Sequence, residues 1–238
     1  MKLTALGFDA DDTLWHNESL FQLTHDRFAG LLAGHADRAD IDARLLEAEK
    51  RNLAFYGYGV KGFTLSMIET ATQIGGDDLP ASVIQDILGF GREMLTHPVD
   101  CLPGVAETLR ALAADYTLIL ITKGDLFDQE RKLAQSGLGA LFTGVEIVSE
   151  KTAATYAGAF ARHGSGPGAA MMIGNSLKSD VIPALEAGSW AVHVPYRVTW
   201  ALEHADAPET HPKFRRLSGL AELPALIDAL RPAPDPQT

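Results

Sequence analysis

The chain has 238 residues, 46% of them hydrophobic and 21% charged, enough for one large globular domain or a domain carrying an insert. Twenty basic residues against 31 acidic ones leave a formal charge of −11, which argues against a polyanionic partner such as nucleic acid. A single cysteine, Cys101, excludes an intramolecular disulfide and a cysteine zinc site, and no apolar run approaches the roughly 20 residues of a membrane helix. With no evident export signal at Met1-Lys2-Leu3-Thr4, a cytoplasmic location is expected.

The apolar run Leu3–Phe8 predicts a buried strand that leads directly into Asp9-Ala10-Asp11-Asp12-Thr13-Leu14. Past the end of a strand the chain turns, so Asp9 and Asp11 can face one crevice, where open parallel sheets bind ligands. Two such carboxylates suit nucleophilic attack by one and proton transfer by the other, with a divalent cation between them. An aspartate-rich turn or helix N-cap before Thr13 is the plainer reading of the same letters, and Asp12 is expected to be an exposed N-cap. From Asn17 to about Pro98 no strand is evident. Leu20–Leu32, Ile41–Phe55, Phe63–Ile74 and Val83–Leu95 carry apolar residues at three- and four-residue spacing. They predict a helical insert over 18–97, with hinges at Trp15–Glu18 and Thr96–Leu102. Within it, Gly57–Gly62 reads as a helix-to-helix turn, although Lys61 could meet an anion there.

Beyond the insert, β-prone runs recur at Tyr116–Ile121, Gly144–Val148, Ala169–Ile173 and Trp190–Val194. Helical patterns precede them at Pro103–Ala113, with Pro103 at its first position, and at Leu126–Ser136, Thr152–His163 and Lys178–Ala187. Gly137, Gly164 and Gly188 are the stops of the last three. Strand and helix in alternation predict an α/β fold with a parallel sheet and right-handed crossovers, over 1–17 and 98–231. The proline-rich tail 232–238 is expected to fray.

Chemistry gathers at the strand ends. The second strand runs into Thr122-Lys123-Gly124, Lys151 stands just past the third, and the fourth leads to Gly174-Asn175-Ser176, with Asp180 five residues beyond Asn175. In a parallel sheet all of these lie along the same edge. Phosphate-ester hydrolysis is among the slowest uncatalysed biological reactions, so such a site must stabilise charge on a transferring phosphoryl group. Asp9 would attack it, Mg²⁺ would separate carboxylate from phosphate, and Thr122, backbone N–H groups and Lys151 would hold the remaining oxygens. Lys123 either reaches the phosphate or is solvated. His16 reads as a hinge or surface residue, Trp15 and Trp200 as packing residues, and the other histidines show no metal spacing.

Asp9-x-Asp11-x-Thr13, Thr122, Lys151 and Gly174-Asn175-x4-Asp180, in this order, resemble the four motifs of the haloacid dehalogenase superfamily along essentially the whole chain. The resemblance implies a doubly wound, Rossmann-like core with a mobile helical cap inserted between the first two motifs. It implies Asp9 as nucleophile, Asp11 as general acid/base, and Thr122 and Lys151 as phosphate ligands, with Lys123 a further candidate. It also implies Mg²⁺ held by Asp9, by the backbone carbonyl of Asp11 and by Asn175, with Asp180 orienting Lys151 or a metal-bound water. One position departs from the pattern: family phosphatases usually carry an acid where this chain has Asn175. The family's metal-independent 2-haloacid dehalogenases have an asparagine near there, but they lack the second aspartate, which here is Asp11. The expectation is therefore a Mg²⁺-dependent phosphomonoester hydrolase of a small phosphorylated metabolite. A 2-haloacid dehalogenase and a weakly active member that binds a phosphorylated ligand are the alternatives. Substrate identity and oligomeric state are not legible.

Overall fold

Apolar residues with both faces buried make continuous hydrophobic strands, and β1 (Ala5–Phe8) is one of them, buried at all four positions. The computed structural model describes residues 3–231, so the expected fraying of 232–238 lies outside the described residues. A six-stranded sheet runs β3 (Gly144–Val148), β2 (Thr117–Lys123), β1, β4 (Ala170–Gly174), β5 (Trp190–His193) and β6 (Phe214–Arg216). Every pair is parallel, with Leu6 opposite both Leu118 and Met171, so the C-terminal ends share one edge. The chain leaves β1 toward β2 on one side and reaches β4 on the other. β1 thus flanks the switch point at which such sheets bind ligands.

Alternate strand residues feed two cores. Leu6, Phe8, Leu118, Leu120, Met171 and Ile173 pack with Val105, Leu109 and Leu112 of α5 (Val105–Ala113) and with Leu223 and Ile227 of α9 (Leu223–Leu230). Ala5, Ile119, Ile121, Ala170 and Met172 pack on the other face with Tyr156, Ala159 and Phe160 of α7 (Ala153–His163) and with Ala184 and Leu185 of α8 (Ile182–Glu186). This is the doubly wound arrangement the alternation implies.

The described chain divides into two compact units, one of 3–16, 99–123 and 132–231 and the other of Asn17–Pro98 with Gly124–Arg131. The second is built on α1 (Glu18–Leu32), α2 (Arg38–Tyr56), α3 (Val60–Gly75) and α4 (Ala81–Thr96). Phe28, Leu32, Ile41, Leu45, Met67 and Ile87 form its core. Asp37 caps α2 by accepting from the Asp40 N–H at 2.9 Å. The turn expected over Gly57–Gly62 is shorter, Gly57–Gly59, with α3 already begun at Val60, and it is tight: a Cβ on Gly62 would sit 2.8 Å from the Gly57 carbonyl oxygen. Lys61 donates to Asp125, at 2.8 Å, just before α6 (Leu126–Ser136).

Four local expectations are corrected. Pro103 is not in α5; Pro103 and Gly104 form a turn, with Gly104 at φ 75°, and the helix opens at Val105. The helix expected over Lys178–Ala187 begins instead as a wide turn, Leu177–Val181, in which the Asp180 and Val181 N–H groups both donate to the Ser176 carbonyl. β6 was not anticipated, since three residues carry no periodicity. Asp12 is not an exposed N-cap: it is buried at φ 62°, its N–H donating to the Trp15 carbonyl at 2.8 Å. Aspartate is among the few residues other than glycine that tolerate this left-handed conformation.

Candidate active site

The parallel ladder continues one residue past β1, because the Asp9 N–H donates to the Ile173 carbonyl at 2.9 Å. This fixes Asp9 between β1 and β4. Its Oδ1 accepts from Lys151 Nζ at 2.5 Å and its Oδ2 from the Thr13 hydroxyl at 2.9 Å. Lys151 Nζ also donates to Asp180 Oδ1 at 2.7 Å, while Asp180 Oδ2 accepts from the Ser176 N–H at 2.9 Å. Tyr156 closes the back of this group, donating its hydroxyl proton to the Ser179 carbonyl. The carboxylate of Asp180 comes so close to the Gly174 backbone that a Cβ there would lie 2.3 Å from it, so glycine is required.

Lys151, Asp9 and Asp180 are all buried, two carboxylates to one ammonium. Burial and the charge of Asp180 push Asp9 up to about 7 against the pull of Lys151. Burial lowers Lys151, but the two carboxylates outweigh it and hold the ammonium above the ordinary lysine range. Burial, reinforced by both acids, likewise raises Tyr156.

Asn175 faces the other side of Asp9. The end of its amide lies 3.1 Å from Asp9 Oδ2 and 3.2 Å from the Asp11 carbonyl oxygen. Turned nitrogen-inward, the amide donates to both; turned oxygen-inward, it sets its oxygen against each of theirs and accepts a long bond from the Thr13 hydroxyl at 3.4 Å. Adjacent ligands of octahedral Mg²⁺ at its usual bond length of about 2.0–2.1 Å stand about 2.9 Å apart. These hard oxygen donors, beside the excess of buried negative charge, therefore fit a divalent cation of that kind. His193 Nε2 meets the Asn175 carbonyl at 3.0 Å, and its buried Nδ1 has no hydrogen-bond partner among the described residues. Burial keeps His193 below the ordinary histidine value, with Arg216 adding to the effect and the Asn175 carbonyl opposing it.

The Asp11 carboxylate points elsewhere. Oδ1 accepts from Lys132 Nζ and from Trp15 Nε1, both at 2.7 Å, and Oδ2 from Lys132 at 3.0 Å. Trp15 is buried, as a packing residue should be, and also donates. Thr122 is buried in β2, two residues past Leu120, the partner of Phe8. Lys123 Nζ is engaged by Glu203 at 2.5 Å and by the Ser179 hydroxyl at 2.8 Å. Glu203 accepts from Ser176 and Ser179 as well, both at 2.5 Å, and Lys123 with these hydroxyls overcomes burial to hold it below the usual glutamate range. His16 Nδ1 shares a hydrogen bond with the Tyr196 hydroxyl. Sequence reasoning missed Lys132, Glu203 and His193. Lys132 lies in an ordinary charged helix, Glu203 ends a three-residue helical turn too short to show periodicity, and His193 ends an apolar strand.

The chain matches the family model for haloacid dehalogenase-like hydrolases over residues 3–188. No curated protein matches it. Among solved structures it resembles a haloacid dehalogenase-like family hydrolase from Xanthomonas campestris, with 42% identity, TM-score 0.85 and coverage of 96% of this chain and 91% of the other. A predicted phosphoglycolate phosphatase from Haemophilus somnus shares the fold at 19% identity and TM-score 0.64, over 95% and 99% of the two chains. So does an L-2-haloacid dehalogenase from Xanthobacter autotrophicus, at 17% identity and TM-score 0.66, over 96% and 100%. The Asp9–Lys151–Asp180 cluster at the sheet's switch point and the model match together place this chain in the haloacid dehalogenase-like hydrolase family.

Proposed function

We propose that this hydrolase cleaves phosphomonoesters of small metabolites in a Mg²⁺-dependent reaction. The observation that carries the reading is Asp11, a second carboxylate on the turn that bears Asp9. Displacing a halide from carbon needs no proton, whereas an alkoxide leaving group does. A dehalogenase needs no acid to expel its leaving group.

Asp9 Oδ2 faces Asn175 while Oδ1 faces Lys151, so Oδ1 is the attacking atom. As the Asp9–phosphorus bond forms, the bond to the ester oxygen breaks and Asp11 hands that oxygen a proton, leaving an aspartyl-phosphate on Asp9. Asp11 then takes a proton from the water that hydrolyses it. Lys151 and Thr122 bind the phosphoryl oxygens, and Asp180 holds Lys151 in place. Asp9, the Asp11 carbonyl and Asn175 would hold the cation, which when bound neutralises charge between Asp9 and an incoming phosphoryl group. A cytoplasmic location belongs to the same proposal, supported by a chain with one thiol and, among the described residues, no helix long and apolar enough to cross a membrane.

The test is a panel of phosphorylated metabolites assayed with Mg²⁺ and with EDTA, beside chloride release from 2-chloropropionate. Phosphate release that disappears in EDTA supports the reading. Chloride release that persists in EDTA, without phosphatase activity, overturns it in favour of the dehalogenase.

A further inference from the structure

We propose that Lys132 is the positioning residue of the acid/base Asp11, fixing its carboxylate in the orientation from which it exchanges the leaving-group proton. The proposal rests on the phosphatase reading and adds a residue outside the four motifs. Asp11 divides its two ends: its carbonyl oxygen lies 3.2 Å from the Asn175 amide, while its carboxylate turns to Lys132 and Trp15. Of the site's three aspartates it is the most open, with 23% of its side chain exposed against 9% for Asp9 and 1% for Asp180. An open carboxylate on a turn rotates unless something holds it, and rotation about its side-chain bonds moves the oxygens by more than the width of the hydrogen-bonding range of about 2.6–3.2 Å.

Lys132 supplies that hold. Its ammonium is in reach of both carboxylate oxygens, at 2.7 and 3.0 Å, so it restrains the plane of the group as well as one atom. The Trp15 N–H bonds one oxygen, Oδ1, and restrains that atom rather than the plane of the group. The lysine side chain is itself only 10% exposed, and it comes from α6 rather than from the turn of Asp11. It anchors the acid from a separate element and exchanges no proton. In the step it serves, the Asp11 proton passes to the ester oxygen as that oxygen takes the electron pair of the breaking phosphorus–oxygen bond.

The experiment compares kcat/KM for glycerol 1-phosphate, phenyl phosphate and p-nitrophenyl phosphate, which need leaving-group protonation in decreasing degree. Because kcat/KM reports steps up to formation of the aspartyl-phosphate, later hydrolysis does not blur the comparison. Lys132→Met should lower it about 100-fold for glycerol 1-phosphate and about 3-fold for p-nitrophenyl phosphate. In an Asp11→Asn background the same change should cost less than about 2-fold further, since its effect passes through Asp11. Equal losses on all three substrates, or losses that multiply with Asp11→Asn, would overturn the proposal. If Lys132→Met does not fold, Lys132→Gln is read the same way. Wild type inactive on all three refutes the phosphatase reading and this inference with it; an active wild type with a flat Lys132 profile refutes this inference alone.

Discussion

Asn175→Asp exchanges a self-satisfied arrangement for one that needs a cation. In the metal-free protein the nitrogen-inward amide makes two hydrogen bonds, to Asp9 Oδ2 at 3.1 Å and to the Asp11 carbonyl at 3.2 Å. A carboxylate loses both, about 1 kcal/mol each. It also sets a second negative charge 3.1 Å from Asp9, a repulsion of about 5 kcal/mol at an effective dielectric of about 20. Partial exposure of residue 175 and uptake of a shared proton relieve much of that, so a net destabilisation of about 3 kcal/mol is expected, or about 6–12 °C in melting temperature for a chain of this size. Mg²⁺ reverses the sign of the interaction, and its half-maximal concentration should fall by about tenfold, worth about 1.4 kcal/mol. The assay is a melting curve in EDTA and across a Mg²⁺ titration for wild type and variant. A variant that melts with wild type in EDTA and shows the same Mg²⁺ midpoint would refute the reasoning and remove residue 175 from the cation site.

Asp9→Asn should abolish turnover while circular dichroism remains that of the wild type; appreciable residual phosphate release would exclude Asp9 as nucleophile. Gly174→Ala should cost about 3 kcal/mol or more in urea unfolding, because the new Cβ displaces the Asp180 carboxylate and breaks its buried pair with Lys151; an unchanged midpoint would mean that the loop yields instead. His193 is held below its ordinary value, so the unfolded chain binds its proton first as the pH falls. Its contribution to stability is complete above about pH 6.5 and is lost below it. Melting temperature should therefore fall more steeply between pH 7 and 5 in wild type than in His193→Gln, and parallel slopes would refute this.

The core was legible because its physics is periodic. Both sheet faces are covered, so β1, β2 and β4 read as unbroken apolar runs, and the four insert helices show their buried stripes at helical spacing. The motif residues were legible because strand ends place them on one edge. What escaped has no local signature. Phe214–Arg216 is strand only because β5 offers it a partner. Lys132 reaches Asp11 across 121 positions and Glu203 reaches Lys123 across 80, and nothing in a single sequence marks such pairs. Asp12 was misjudged because the pattern says that aspartates favour turns without saying that this one turns left-handed and inward.

The wide turn at Leu177–Val181 holds one residue more than an α-helical turn would, and single wide turns of this kind are frequent at functional sites. Each residue of an α-helix advances about 100° around its axis. Removing one residue here would wind the segment into regular helix and rotate Asp180 away from Lys151 and the Ser176 N–H, while Ala184 and Leu185 stayed seated on the sheet. The acid that steadies Lys151 is thus held in phase with the active site by a count of residues. A deletion at exposed Lys178 would strike the chemistry harder than any substitution of that side chain.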